Sequence, residues 1–121
     1  NNLTNNRDLL KLLVIERIAP LAKKQKLAFW GAARIFDALC KYGDLSNEDV
    51  FLLVDKFLWQ KMEHTNGFKI HKPEMLRIKE PQVLLALARS SEEKIAKSAN
   101  KYGIRHVIRF NELIEQCKIT N

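Results

Sequence analysis

Cationic side chains and one indole ring recur at three-, four- and seven-residue steps between residues 23 and 41. On a helix spanning residues 21–42, such steps place these side chains on one face. The members of this stripe are Lys23, Lys26, Trp30, Arg34 and Lys41. Lysine and arginine pair with phosphates and an exposed indole stacks on a base, a combination that binds single-stranded nucleic acid. We therefore predict an RNA contact on this stripe; a solvated face whose tryptophan packs on a neighbouring element is the alternative.

A second basic patch follows the turn signal Thr65-Asn66-Gly67 and includes one acid, Glu74. Its cations are Lys69, Lys72, Arg77 and Lys79. This excess of positive charge predicts further contacts with phosphates.

The same region also fits a winged-helix DNA-binding domain. Residues 47–62 would then form the recognition helix, and residues 61–70 would form a wing with Gly67 at its tip. The acids Glu48 and Asp49 at the start of that helix oppose this alternative. Recognition helices meet a groove lined by phosphates, which repel acids.

Arg105, His106 and Arg109 form a third candidate. In an extended segment, Arg105 and Arg109 share one face and His106 points to the other. Contact with a polyanion and protection of an exposed edge strand by charge both fit this arrangement.

Patterns typical of enzymes are missing from the sequence. The three histidines, His64, His71 and His106, lie far apart and form no HxxxH or HExxH pattern. Phosphate-binding, dinucleotide-binding and nucleophile-elbow glycine motifs are also absent. Acid pairs such as Glu92–Glu93 have the spacing of helix caps. We therefore expect no enzymatic activity, no metal and no cofactor, with a site assembled from distant residues as the open alternative.

The chain is basic, with 21 lysines and arginines against 14 acids, a net charge of +7. This balance favours RNA or another polyanion as the partner, together with other protein subunits. The alternative is a helical adaptor whose charge serves solubility or an acidic protein partner.

The cysteines, Cys40 and Cys117, are too few to staple a small secreted fold and belong to no CxxC motif. Buried, reduced thiols predict a reducing compartment, either the mitochondrial matrix or the cytoplasm. The sequence has no apolar run long enough to predict a membrane span.

Apolar residues at three- and four-residue steps predict several helices. A first helix ends at Pro20, the clearest one spans residues 21–42, and Ser46 caps another over residues 47–62. The short connection between the last two predicts an antiparallel pair. Its interface would contain Phe36, Leu39, Val54, Phe57 and Leu58.

Further helices are predicted from Ser91 to Tyr102 and after Asn111, and extended segments at 68–71 and 104–110. The 121 residues are one domain by length. We therefore expect a mainly α fold: residues 1–121 as a compact bundle of about six helices built from antiparallel pairs, with at most two short extended segments.

Two Ala/Leu-rich stretches, residues 34–42 and 84–90, accompany Lys-Tyr-Gly stops at 41–43 and 101–103. In this pattern the chain resembles the helical-pair repeat proteins of organelles, the octotricopeptide and FAST-kinase-like group. The resemblance implies RNA binding or membership of an organellar ribonucleoprotein such as a mitochondrial ribosome. Together with the charge, it leads us to expect a non-catalytic RNA-binding or ribonucleoprotein subunit.

Overall fold

The computed structural model describes residues 7–88 and 90–120. They form an α/β fold built on a four-stranded parallel sheet. The expected mainly α bundle of antiparallel helix pairs is therefore wrong. Two runs of apolar residues that fit the interior of a helix form the central strands of this sheet instead.

The parallel sheet has the order β2-β1-β5-β6. Its strands are β1 (Leu27–Trp30), β2 (Leu52–Val54), β5 (Val83–Ala86) and β6 (Val107–Arg109). Ala28 of β1 pairs with Leu52 on one side and with Leu84 on the other. A separate hairpin of β3 (His64–Thr65) and β4 (Phe68–Lys69) closes at Asn66 and Gly67, which both have positive φ. The predicted turn is confirmed.

Helical segments connect the strands. They are α1 (Arg7–Leu13), a π-helical turn (Val14–Ile18), α2 (Ala19–Lys24), α3 (Arg34–Gly43), α4 (Met75–Lys79), α5 (Glu92–Lys101) and α6 (Phe110–Thr120), with 3-10 turns at Asn47–Asp49 and Leu58–Gln60. The predicted break at Pro20 does not occur, because the chain passes from the π-helical turn into α2 without leaving helical geometry. In the described ranges, no helix combines the length and the apolar character needed to cross a membrane.

Each face of the parallel sheet carries its own apolar core. Phe29 points to the face covered by α1, α3 and α6, where its ring meets Phe36 edge-on at 5.9 Å. Ala28 and Trp30 point to the other face, which α4 and α5 cover. Because β1 is buried on both faces, all four of its residues are apolar.

The prediction of one helix over residues 21–42 is wrong, because these residues form three separate elements. The backbone becomes extended at Gln25 and forms β1. It then turns at Gly31 before α3 begins. Residues 47–62 are not a helix either. Ser46 and Asp49 form the expected capping box, but only a 3-10 turn follows it before β2.

The antiparallel helix pair is consequently absent, although part of its proposed interface is buried. Phe36, Leu39 and Val54 are fully buried, as predicted. Phe57 is 70% exposed, because it lies in the loop after β2. Leu58 is half-buried in the same loop.

Candidate binding site at the carboxyl edge of the sheet

The order of the parallel strands creates a crevice between β1 and β5. From β1 the chain crosses to β2 on one side, whereas from β5 it crosses to β6 on the other. The loops that leave the carboxyl ends of β1 and β5 therefore diverge. In open α/β sheets, ligands bind at such a topological switch point.

A tight glycine turn forms the floor of this crevice. Gly31 follows β1 with φ of +121°, a conformation that side chains with a Cβ rarely adopt. Its N–H donates to the Val54 carbonyl at 2.9 Å, and the Leu87 N–H donates to the Trp30 carbonyl at 2.9 Å. A Cβ on Gly31 would lie 2.9 Å from the Leu87 carbonyl oxygen. The turn is thus held closely against both neighbouring strands.

Asp55, the first residue after β2, ties two loops together. Its Oδ2 accepts a hydrogen bond from the Ala32 N–H at 2.8 Å. Its Oδ1 accepts from the N–H groups of Phe57 and Leu58 at 2.9 and 2.8 Å. Because both carboxylate oxygens accept hydrogen bonds from backbone donors, Asp55 holds the two loops in place and so shapes the crevice.

A cavity of about 420 Å³ lies at this edge, and we call it the switch-point cavity. Its walls come from the loops after β1, β2 and β5 and from one face of α5. It is lined by Trp30, Gly31, Ala33, Asp55, Lys56, Phe57, Leu87, Ala88, Ser91, Lys94, Ile95 and Ser98. A volume of several hundred Å³ with apolar walls and a few polar groups is typical of small-molecule sites.

The charges around this cavity favour an anion. Lys56 and Lys94 line it against one acid, Asp55, whose carboxylate already accepts three backbone hydrogen bonds, and the N-cap residues Ala33 and Ser91 form no side-chain cap hydrogen bond in α3 or α5. Uncapped N–H groups at the start of a helix carry partial positive charge. The acids in the first turn of α5 are engaged elsewhere: Glu92 accepts from Asn111, and Glu93 pairs with Arg109 at 2.8 Å.

A second cavity of about 540 Å³ adjoins the first, and we call it the Trp59 cavity. Trp30, Lys56 and Ser98 line both cavities. The remaining residues of its lining are Trp59, Gln60, Lys72, Pro73, Glu74, Lys101 and Tyr102. Aromatic rings and lysines thus lie side by side along α5.

The predicted basic stripe is spread over the two edges of the sheet. Trp30 is buried at the carboxyl edge, and Arg34 is exposed at the start of α3. Lys23 and Lys26 line a cavity of about 530 Å³ at the amino edge, together with the acid Glu48. Lys41 lies two turns after Arg34, in the last turn of α3, about 10 Å farther along its axis. The single helical face that motivated the stripe does not exist.

The fold brings some residues of the second basic patch close together. Lys69 and Lys79 both lie close enough to His71 to act on its charge. The Lys72 ammonium lies 6.0 Å from the centre of the Trp59 ring, and the Arg77 guanidinium lies 5.8 Å from that of Tyr102. The recognition helix required by the winged-helix alternative is replaced by β2 and 3-10 turns.

Burial and the two lysines lower the pKa of His71 below its ordinary value of 6.5. The unfolded chain therefore binds a proton at this residue more readily than the folded chain does. We expect the free energy of unfolding to fall as the pH drops below about 6.5, with a shallower fall in His71→Gln. Urea titrations between pH 5 and 8 measure this, and equal slopes in both chains would contradict it.

The three residues of the third candidate, Arg105, His106 and Arg109, have different surroundings in the fold. Arg105 is exposed just before β6, as a polyanion contact requires. Arg109 is held by Glu93 at 2.8 Å and by Glu112 at 3.5 Å. The hydrogen bond from Arg109 to Glu93 raises the pKa of the guanidinium. Arg109 therefore braces α5 and α6 at the end of β6, and exposed His106 lies outside this network.

Neither cysteine is poised for chemistry. Cys117 is buried, and burial together with the charge of Asp37 raises the pKa of the Cys40 thiol to about 11. Among residues 7–88 and 90–120, no group of three His, Cys, Asp or Glu side chains could hold a metal ion.

Sequence reasoning did not find Gly31, Asp55, Lys56, Lys94 or Trp59. A signal for the first two was present, since Gly31 directly follows Leu27–Trp30 and Asp55 directly follows Leu52–Val54. A glycine and an acid at the ends of successive apolar runs are typical of the carboxyl edge of a parallel sheet. No sequence pattern marks the two lysines, because only the fold places Lys56 and Lys94 around the same cavity.

The sequence matches no protein-family model, and the chain shows no significant similarity to a curated protein or to a solved structure. The two stretches behind the resemblance to helical-pair repeats differ in structure, since residues 34–43 are helical and residues 83–86 form β5. The geometry of the carboxyl edge is therefore the basis for the function proposed below.

Proposed function

We propose that this protein binds a small phosphate-bearing ligand with a planar ring, such as a nucleoside monophosphate, in the switch-point cavity. The observation that carries this proposal is a ligand-sized cavity at the topological switch point, lined by Lys56, Lys94 and the exposed Phe57. The lysines and the first turns of α3 and α5 supply positive charge for a phosphate. Phe57, which is 70% exposed and lines the cavity, supplies aromatic surface for a ring.

Dinucleotides bound in the mode that is usual for dinucleotide-binding doubly wound sheets fit less well. That mode places glycines two and five residues after the first glycine of the turn. This chain has Ala33 and Phe36 there, and Phe36 is fully buried between α3 and the sheet. That mode also uses an acid after β2 to hold a ribose hydroxyl, whereas both oxygens of Asp55 accept backbone hydrogen bonds.

Replacing Lys94 should weaken ligand binding. We expect Lys94→Ala to lose about 1–2 kcal/mol of binding free energy for AMP, roughly 5- to 30-fold in Kd, because a charged contact to phosphate is removed. Isothermal titration calorimetry measures this against Lys97→Ala. Lys97 is exposed on the same helix and does not line the cavity.

Two further ligands separate the parts of the proposal. Ribose 5-phosphate lacks the base, so binding equal to that of AMP would overturn the role assigned to the aromatic walls. Equal losses in Lys94→Ala and Lys97→Ala would overturn the site itself, because only one of the two lysines lines the cavity.

The RNA-binding function expected from the sequence stays a prediction. Its support is now the pairing of exposed Trp59 with Lys72 and of half-buried Tyr102 with Arg77, in addition to the net charge of +7.

A further inference from the structure

The switch-point cavity and the Trp59 cavity adjoin. Trp30, Lys56 and Ser98 line both, so the two lie side by side along α5, and we call the pair the groove. Ser91, Lys94, Ser98 and Lys101 recur at three- and four-residue steps, which places them on one face of that helix. From Ser91 to Lys101 this face is about 15 Å long.

Each of the two cavities is large enough for a ligand group. Their volumes are about 420 and 540 Å³, both within the range of small-molecule sites. A single nucleoside phosphate would therefore leave half of the groove empty. A ligand that fills the groove has two such groups joined near Lys56 and Ser98.

Aromatic and cationic groups are held together at the far end of the groove. Trp59 is 37% exposed, and the Lys72 ammonium lies 6.0 Å from the centre of its ring. Lys101 and Tyr102 line the facing side, and Glu74 is an acid in the same lining. A ring beside cations suits a nucleobase next to a phosphate.

We infer that the groove binds two nucleosides joined by a phosphodiester, with the first in the switch-point cavity and the second against Trp59. Lys56, at the junction, faces the linking phosphate, and Lys94 faces the terminal phosphate of the first nucleotide. Such a unit occurs both as a free dinucleotide and within single-stranded RNA. This inference rests on the proposed function, because its first nucleotide occupies the site proposed there.

The test compares three probes by calorimetry: AMP, the dinucleotide pApA and the single strand (rA)8. We expect pApA to bind at least about 10-fold more tightly than AMP, since stacking of one base on an aromatic residue contributes roughly 5- to 150-fold. Binding of (rA)8 equal to that of pApA would identify a strand as the source. Much weaker binding of (rA)8 would identify a free dinucleotide.

Two variants test the second half of the groove, so that poor folding of one does not decide the result. Trp59→Ala and Lys101→Ala should each reduce the advantage of pApA over AMP and leave AMP binding unchanged. The controls are Lys97→Ala and Phe51→Ala. Phe51 is 41% exposed with the Lys26 ammonium 5.3 Å from its ring centre, the same pairing at the opposite edge of the sheet.

The outcomes separate this inference from the proposed function. If AMP binds but pApA binds no more tightly, or if Trp59→Ala and Lys101→Ala keep the advantage of pApA, the second subsite is overturned and the first stands. If neither AMP nor pApA binds, both proposals are overturned.

Discussion

Replacing Asp55 by alanine should lower the free energy of unfolding by about 3–5 kcal/mol, because one buried carboxylate accepts three backbone hydrogen bonds. The Ala32 N–H is the costliest to leave unpaired, since Ala32 is 2% exposed whereas Phe57 is 70% exposed. Urea denaturation monitored by tryptophan fluorescence measures the loss.

Two related variants sharpen this prediction. Asp55→Asn keeps the shape but has one oxygen instead of two, so it should lose part of the stability that alanine loses. Asp49 is an equally buried aspartate that forms only a capping box with Ser46. Asp49→Ala should therefore cost about 0.5–2 kcal/mol. Equal losses at positions 49 and 55 would refute the role assigned to Asp55.

Gly31→Ala is the second change with a large expected effect. The backbone conformation at φ of +121° costs a non-glycine residue about 1–3 kcal/mol. The new Cβ would also lie 2.9 Å from the Leu87 carbonyl oxygen, so the loops after β1 and β5 must separate. We expect both a loss of stability and weaker AMP binding, measured by urea denaturation and calorimetry.

Gly67→Ala is the matched control for this change. Gly67 also has positive φ, but no atom lies within 4 Å of the position of its Cβ. It should therefore show the backbone cost without the steric cost and keep AMP binding. A loss of AMP binding in Gly67→Ala as well would show that the effect at Gly31 is not local to the crevice.

The sequence predicts local features of this fold better than its class. Helices that begin after Ser91 and near Asn111 are present, as are the turn at Asn66-Gly67 and a strand within residues 104–110. Each has a cap, a turn residue or an alternating pattern that acts within a few residues. Such signals do not depend on which distant segments meet.

The sequence pattern predicts the wrong fold class, because buried parallel strands do not alternate between apolar and polar residues. Leu27–Trp30 and Val83–Ala86 are apolar throughout, and short apolar runs fit a buried helix equally well. The sequence does not reveal the site for the same reason, since Lys56 and Lys94 line one cavity only when β1 lies between β2 and β5.

The central position of β1 also bears on how the chain folds as it is made. During translation β1 is completed before β5, so Ala28 must wait for Leu84 before its second edge is paired. Until β5 has been synthesised, an entirely apolar strand carries unpaired N–H and C=O groups along one edge, and such edges recruit other chains. In the interval between the synthesis of β1 and that of β5, the nascent chain therefore exposes an edge that favours aggregation.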